Sequence, residues 1–338
     1  MPRKASVNTP SALPNIALLG TGGTIASTAD STTTLTDYAV TEGIGALLTA
    51  VPALASLANI QCQQVFNIDS RYITNSMLLK LANTVNKLLD DPAIDGVVIT
   101  HGTDTLEETA YFLNLVIKST KPVVLVGAMR PASALSADGP LNLYNAVLLA
   151  ASPLAHGLGV LITLNDSIHA ASLVSKLNTS HVQAFSALEH GCLGHSAQTQ
   201  VQLFQTPCRA HTINTVFQLK GLRKLPVVDI LYDHQDAGLH LYQAAVSADV
   251  QGIVIAGTGN GSLSTQAEKG ARLAKKHQIP CVRSSRTGSG VVTSSQHDRR
   301  QGLIAAHALN PQKARILLML ALTQTHDRDV IQSYFERY

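Results

Sequence analysis

Short apolar runs that stop abruptly at Gly, Thr or Asp and resume as helical periodicity recur along this chain, and they leave few folds open to it. The clearest is Val97 to Glu108, VVITHGTDTLEE. The apolar and β-branched residues after Gly96 suit a strand buried in a parallel sheet, and Leu106, Ala110, Leu113 and Ile117 recur at helical spacing. A strand that runs straight into a helix puts the join at the carboxyl end of the strand. Open α/β sheets bind their ligands there, and a first helical turn offers unpaired N–H groups suited to an anion. Thr103 and Asp104 stand at that join. A Thr or Asp followed by Glu107 and Glu108 also reads as an ordinary capping box, so the local pattern leaves both readings open. An earlier run repeats the design: Ile16 to Leu19 leads into Gly20-Thr21-Gly22-Gly23-Thr24, again delivering a Thr at a Gly-loosened turn.

The alternation continues on both sides of these joins. A leader over residues 1–14 precedes the first strand. The Ser/Thr-rich segment Ala26 to Val40 has few apolar anchors and reads as a mobile loop beside that strand end, with Tyr38 either packing the loop base or serving the site. Then come a helix over Glu42 to Ala50, a strand over Ile60 to Ile68 ending at Asp69-Ser70-Arg71, and a helix over Asn75 to Leu89. A strand over Lys121 to Val126 ends at Gly127-Ala128, Asp138-Gly139-Pro140 opens a helix to Ala150, and Leu158 to Leu164 forms a further strand. Beyond Leu164 the pattern breaks into a loop-rich region carrying Lys176 and the cluster Glu189, His190, Cys192 and His195. That spacing matches no common metal-ligand set, and an isolated lysine such as Lys176 is ordinarily solvated. Weak periodicity between prolines marks 206–225 as a linker. Strands over Val227 to Tyr232, Gly252 to Ala256 and Ile279 to Arg283, with helices over Ser264 to His277 and Pro311 to Gln324, then form a second unit. Its turn Gly257-Thr258-Gly259-Asn260-Gly261 again follows a strand. The expected fold is α/β, with a larger N-terminal domain (15–205) and a smaller C-terminal domain (226–338), both built on mostly parallel sheets.

Composition narrows the partners. A chain of 338 residues predicts about two domains, and 25 basic against 22 acidic residues, a net charge of +3, provide no field that demands nucleic acid or an anionic membrane. No run is long enough to span a bilayer, and the leader lacks the apolar core of a signal peptide. A chain that natively starts here is expected in the cytoplasm; one whose export signal was cut away is expected in the periplasm. Cys62, Cys192, Cys208 and Cys281 form no Cys-x-x-Cys, so no metal knuckle or redox motif is marked, and buried free thiols are favoured over a disulfide, which stays open. The turn at Gly20 has Ile25 where a dinucleotide fingerprint needs its third glycine, no Gly-Lys-Ser/Thr marks a phosphate loop, and no G-x-S-x-G elbow occurs. What remains is a set of strand ends bearing Thr, Ser, Asp and Asn. A threonine hydroxyl becomes a nucleophile once a base takes its proton, a lysine in a desolvated site can be that base, and Thr, Asp and Lys together suit acyl transfer.

The combination TGGTIAS (Thr21 to Ser27), VVITHGTDTLEETAYFL (Val97 to Leu113), KPVVLVGAMRP (Lys121 to Pro131), SADGPLNLYNAV (Ser136 to Val147), VRSSRTGSG (Val282 to Gly290) and LNPQKAR (Leu309 to Arg315) closely resembles the bacterial type II L-asparaginases. The resemblance spans nearly the whole chain from Asn15 to Tyr338. It implies hydrolysis of L-asparagine to L-aspartate and ammonia, often with weaker action on L-glutamine, without cofactor or metal. It also implies that Thr24 is the nucleophile, with Tyr38 from the loop as its hydrogen-bonded partner. Lys176 and Asp104 then polarise the Thr103 hydroxyl. Ser70 holds the substrate α-carboxylate, Asp104 meets the α-ammonium, and the Ala128 backbone receives the side-chain amide. The same resemblance implies a homotetramer built as a dimer of intimate dimers, with Asn260 reaching the site from the neighbouring subunit.

Two positions depart from that family. Members usually carry Gln or Glu after the substrate serine, where this chain has Arg71; two positive charges about 4 Å apart would repel by roughly 4 kcal/mol at an effective dielectric near 20. Arg71 must therefore turn away or change the pocket. Many members place Glu near position 295, where this chain offers Ser295 with Asp298 as the nearest acid. Weaker discrimination against L-glutamine, or a raised KM for L-asparagine, is the expected consequence, which makes a glutaminase-asparaginase the first rival reading. An amino-acid binding or sensing protein that has lost turnover is the second, and a pure binder would have no use for an activated nucleophile.

Overall fold

The computed structural model describes residues 13–34, 39–197 and 199–338. Strand β1 (Asn15–Gly22) runs into a single 3-10 turn over Thr24–Ala26, and the segment that follows is pinned at both ends by a ribbon of β2 (Ser27–Thr28) and β3 (Ala39–Val40). Tyr38 lies outside the described residues. Helix α1 (Ile44–Ala50) leads to β4 (Asn59–Ile68); α2 (Asn75–Leu89), β5 (Gly96–Thr100), α3 (Leu106–Val116), β6 (Val123–Val126), α4 (Gly139–Ala150) and β7 (Val160–Leu164) then alternate as the periodicity predicts. β5 and β6 are buried along their whole length, as parallel strands covered on both faces must be.

The stretch after Leu164, expected to be loop-rich, carries more order than its sequence suggests. It forms β8 (Ser167–Ala170), β9 (Ser175–Lys176), β10 (Phe185–Ser186), β11 (Gly194–Ala197) and β12 (Gln200–Leu203). These strands are short, and polar residues such as His169 and Ser196 break their apolar runs, which hides them from periodicity. β8, β11 and β12 extend the main sheet antiparallel, giving the order β12-β11-β8-β7-β6-β5-β1-β4, whereas among the described residues β9 pairs only with β10.

The second unit comprises β13 (Val228–Tyr232), α5 (His240–Ser247), β14 (Gly252–Gly257), α6 (Thr265–Lys276), β15 (Cys281–Ser285), α7 (Gln296–Gln301), β16 (Leu303–Ala305), α8 (Pro311–Ala321) and α9 (Arg328–Arg337). Its four strands are parallel in sequence order. α5, α7, β16 and α9 have no counterpart in the sequence reading; α7 is six mostly charged or amide residues, and α9 buries only one stripe. Residues between the two sheets are tied down: Phe217 is fully buried, with its ring 5.4 Å from Tyr334 and 5.3 Å from Tyr338. α3 packs on α8, so the core that begins under β5 continues beneath Val254 and Val282 of the second sheet. A separate core, with Leu143 and Val147 of α4, covers the other face of the main sheet.

Candidate active site

Chain direction along the main sheet reverses between β1 and β5: β1 is followed by its neighbour β4 on one side, and β5 then returns on the other. Such a switch point opens a crevice at the carboxyl ends of the strands. Thr24 follows β1 and Thr103 follows β5, so both hydroxyls flank it. The loops meet at backbone distance. Gly23 has φ +85°, and a Cβ there would lie 2.3 Å from Gly102 Cα; a Cβ on Gly102 would lie 2.7 Å from Ser70 Oγ. Any side chain at either glycine would force apart the ends of β1, β4 and β5.

Within this crevice Thr24, Ser70, Thr103 and Asp104, with Gly23, Val40, Asp69 and Gly102, line a narrow cleft. Thr24, Ser70 and Thr103 are buried. Lys176 enters from β9, donating from Nζ to Thr103 Oγ1 at 2.9 Å and to Asp104 Oδ1 at 2.7 Å. Its side chain is 16% exposed against 60% for Asp104, so the cation is withdrawn from water while the carboxylate opens toward the cleft mouth. Lys176 is thus not the solvated lysine that its isolation in sequence suggests. The capping-box reading of Thr103 and Asp104 is likewise corrected. Thr105 is the N-cap residue of α3 and makes no side-chain cap bond; its hydroxyl donates instead to Ser70 O at 2.9 Å. Glu107 is buried and accepts from Asn310 Nδ2 at 2.9 Å.

The remaining candidates divide. Ala128 follows β6 in a loop held by Asp138, whose carboxylate accepts from Met129 N and Arg130 N at 2.9 Å each. Arg71 turns back on its own loop: its Nε is 3.1 Å from Asp69 Oδ2, its guanidinium lies 5.0 Å from the Tyr72 ring centre, and its side chain is 65% exposed. Asn260 and Ser295 do not line the cleft of their own chain. Asn260 exchanges two hydrogen bonds with Thr293, from Nδ2 to Oγ1 at 2.8 Å and from Thr293 N to Oδ1 at 2.9 Å. Ser295 caps α7 in a reciprocal box with Asp298. Burial would raise the Asp298 carboxyl, but hydrogen bonds from Arg283 and Ser295 hold it below the usual carboxylate range. His101, between β5 and Thr103, is fully buried; burial pushes its pKa down to about 4, and its Nδ1–H donates to Gly102 O at 2.7 Å.

Sequence reasoning passed over Asp69, Gly102, Glu107, Asn310 and Lys313. The signal for Glu107 and Lys313 was a charge on an apolar helix face, since both fall among buried residues of α3 and α8, and Asn310 is the N-cap residue of α8. Among the described residues no group of three or more His, Cys, Asp or Glu is placed to hold a metal ion; all four cysteines are free, but against the expected burial only Cys281 is buried, with Cys62 and Cys192 half-buried and Cys208 exposed.

Comparison with known proteins adds a second line of argument. Residues 15–209 match the family described as "Asparaginase, N-terminal", and residues 227–335 match "Glutaminase/Asparaginase C-terminal domain". The chain is 51% identical over 335 residues to L-asparaginase 2 of Bacillus subtilis (strain 168), covering 99% of this chain and 89% of that relative. It is 43% identical over 336 residues to a glutaminase-asparaginase of Pseudomonas fluorescens biotype A, covering 98% and 92%. The crystal structure of a probable cytoplasmic L-asparaginase from Campylobacter jejuni matches with a TM-score of 0.94 and 47% identity over 96% of this chain and 100% of that one.

Proposed function

The chain belongs to the asparaginase family, and from that premise we propose that it hydrolyses L-asparagine to L-aspartate and ammonia through a threonyl ester. Thr24 Oγ1 attacks the side-chain amide carbon. The tetrahedral oxyanion collapses, the C–N bond breaks, and the amide nitrogen takes a proton to leave as ammonia. Water then cleaves the ester, releasing L-aspartate and restoring the hydroxyl. Lys176 and Asp104 polarise Thr103 for proton transfer, Tyr38 partners Thr24, and the Ala128 backbone receives the amide. Ser70 takes the substrate α-carboxylate and Asp104 the α-ammonium.

One observation carries the reading: two threonine-bearing loops are locked together at the sheet's switch point by Gly23 and Gly102, with the Lys176 cation on Thr103 and Asp104. That arrangement supplies a nucleophile, a proton carrier and a carboxylate in one small cleft. The chain acts as a homotetramer of intimate dimers in which Asn260 serves the neighbouring subunit. Its proposed compartment is the cytoplasm, the one named for the similar C. jejuni protein.

A glutaminase-asparaginase is the second reading, favoured by Arg71 and Ser295. Ser295 is committed to its helix cap and brings no carboxylate, and Arg71 pairs with Asp69, a cleft residue whose charge it partly neutralises. Ammonia release from L-asparagine and L-glutamine at matched concentrations, for wild type, Thr24→Ala, Thr103→Val and Arg71→Gln, tests both readings. Turnover abolished in both threonine variants is expected, with Arg71→Gln raising the preference for L-asparagine. Activity that survives Thr24→Ala would sink the mechanism, and an unchanged amide ratio in Arg71→Gln would remove Arg71 from the account of specificity.

A further inference from the structure

Lys176 must stand at a fixed distance from Thr103, yet the sheet does not set that distance. Thr103 follows β5 at the centre of the main sheet, whereas β9, which carries Lys176, is laddered among the described residues only to β10 through Lys176–Phe185 and Ser175–Ser186. Backbone bonds hold the β9 segment at its entry from β8, where Val174 N donates to Ala170 O at 3.2 Å, and the side-chain ties that reach it come from the second domain. Lys313 Nζ donates to the Val174 carbonyl and, at 3.4 Å, to Ser172 O. Asn310 Nδ2 donates to Ser175 Oγ at 3.0 Å, immediately before Lys176.

The same helix start also grips the other half of the site. Asn310 Nδ2 donates to Glu107 Oε2 at 2.9 Å, Gln312 Nε2 to Glu107 Oε1 at 3.4 Å, and Lys313 Nζ lies 3.7 Å from Glu107 Oε2. Glu107 is in the first turn of α3, one short step beyond Thr103 and Asp104. Asn310 is itself fixed, because its Oδ1 caps α8 by accepting from Lys313 N at 2.9 Å, which aims its amide N–H groups at Ser175 and Glu107. Glu107 and Lys313 are 4% and 2% exposed, so neither charge has water as an alternative partner.

We infer that Glu107, Asn310 and Lys313 are positioning residues, a clamp from the C-terminal domain that holds Lys176 against Thr103 and Asp104. The inference rests on the amidohydrolase reading of the site. Displacements of about 1 Å in such a constellation cost up to about a hundredfold in rate, so the clamp should appear in kcat rather than in substrate binding.

Asn310→Ser is the clean test. Serine keeps a helix cap but is too short to reach Ser175 and Glu107. In the full-length protein, with L-asparagine as probe, kcat is expected to fall about tenfold or more while KM stays within about twofold and the thermal midpoint within a few degrees. Ser175→Ala should lower kcat in the same direction, and the double variant should be little worse than Asn310→Ser alone, since Asn310→Ser has already removed the bond to Ser175. A wild-type kcat in Asn310→Ser, a kcat loss that merely follows a loss of thermal midpoint, or additive effects in the double variant would overturn the clamp while leaving the hydrolase reading intact. A wild-type enzyme silent on L-asparagine would overturn both.

Discussion

His101 and His169 are two imidazoles kept neutral by burial, and neither requires a charge for the chemistry proposed here. Burial lowers His169 to about 4, with His195 and Lys313 adding repulsion, and both of its ring nitrogens lack hydrogen-bond partners among the described residues. The sign of the linkage follows. A folded pKa near 4 against an ordinary 6.5 means that the unfolded chain binds the proton more tightly. Stability from these groups is therefore fully present above pH 6.5 and is lost as pH falls through 4. His169→Leu removes one unpaired polar group and one such proton. We expect it to be neutral or stabilising at pH 7 and to flatten the acid slope. Urea midpoints of wild type and variant at pH 7 and pH 4.5 check this, and parallel slopes would mean that the folded protein accommodates the His169 imidazolium. The strand-end hydroxyls Thr24, Ser70 and Thr103 were legible in the sequence because position at the end of an apolar run is a local property. Lys176 was legible only through resemblance, since its contact with Thr103 spans 73 residues and no periodicity encodes such a distance.

At the scale of elements, the βαβα alternation from β4 to β7 was readable because parallel strands and their covering helices need continuous apolar faces. The small strands after β7 and the charged α7 were not, because they are held by particular side chains rather than by a face. Arg283 on β15 is the clearest case. It binds Asp298 through two nitrogens, at 2.7 and 2.8 Å, and also donates to Asn260 O, Gly261 O and Thr293 O. One guanidinium therefore joins the β14 turn, the approach to α7 and α7 itself. Asp298 is fully buried, so Arg283→Met leaves an uncompensated charge and should cost about 3–5 kcal/mol, read by denaturant unfolding. Arg283→Met with Asp298→Leu should recover much of that stability. It should not recover activity, because the Asn260 turn still lacks its two carbonyl tethers, at Asn260 O and Gly261 O. A stable double variant with wild-type turnover would detach this turn from catalysis.

At the scale of the molecule, each chain presents a cleft and, elsewhere, an Asn260 that does not line it. The second sheet also leaves apolar surface uncovered: Val227, Ile230 and Tyr232, on or beside edge strand β13, are 42%, 37% and 59% exposed. A two-fold dimer would answer both features, because an isologous interface lends each cleft the other chain's Asn260 in a single symmetric act. Complementation makes this quantitative. Thr24→Ala and Asn260→Ala homo-oligomers should each be close to inactive. After the two are unfolded together and refolded, about half of the dimers are mixed, and in each mixed dimer one site carries both lesions while the other carries neither, so activity should return to about a quarter of wild type. If Asn260 acted within its own chain, every site would retain one lesion and mixing would restore nothing. The quarter-level recovery, measured as ammonia release after confirming mixed oligomers by mass, thus distinguishes a shared site from a self-contained one without any need to see the interface.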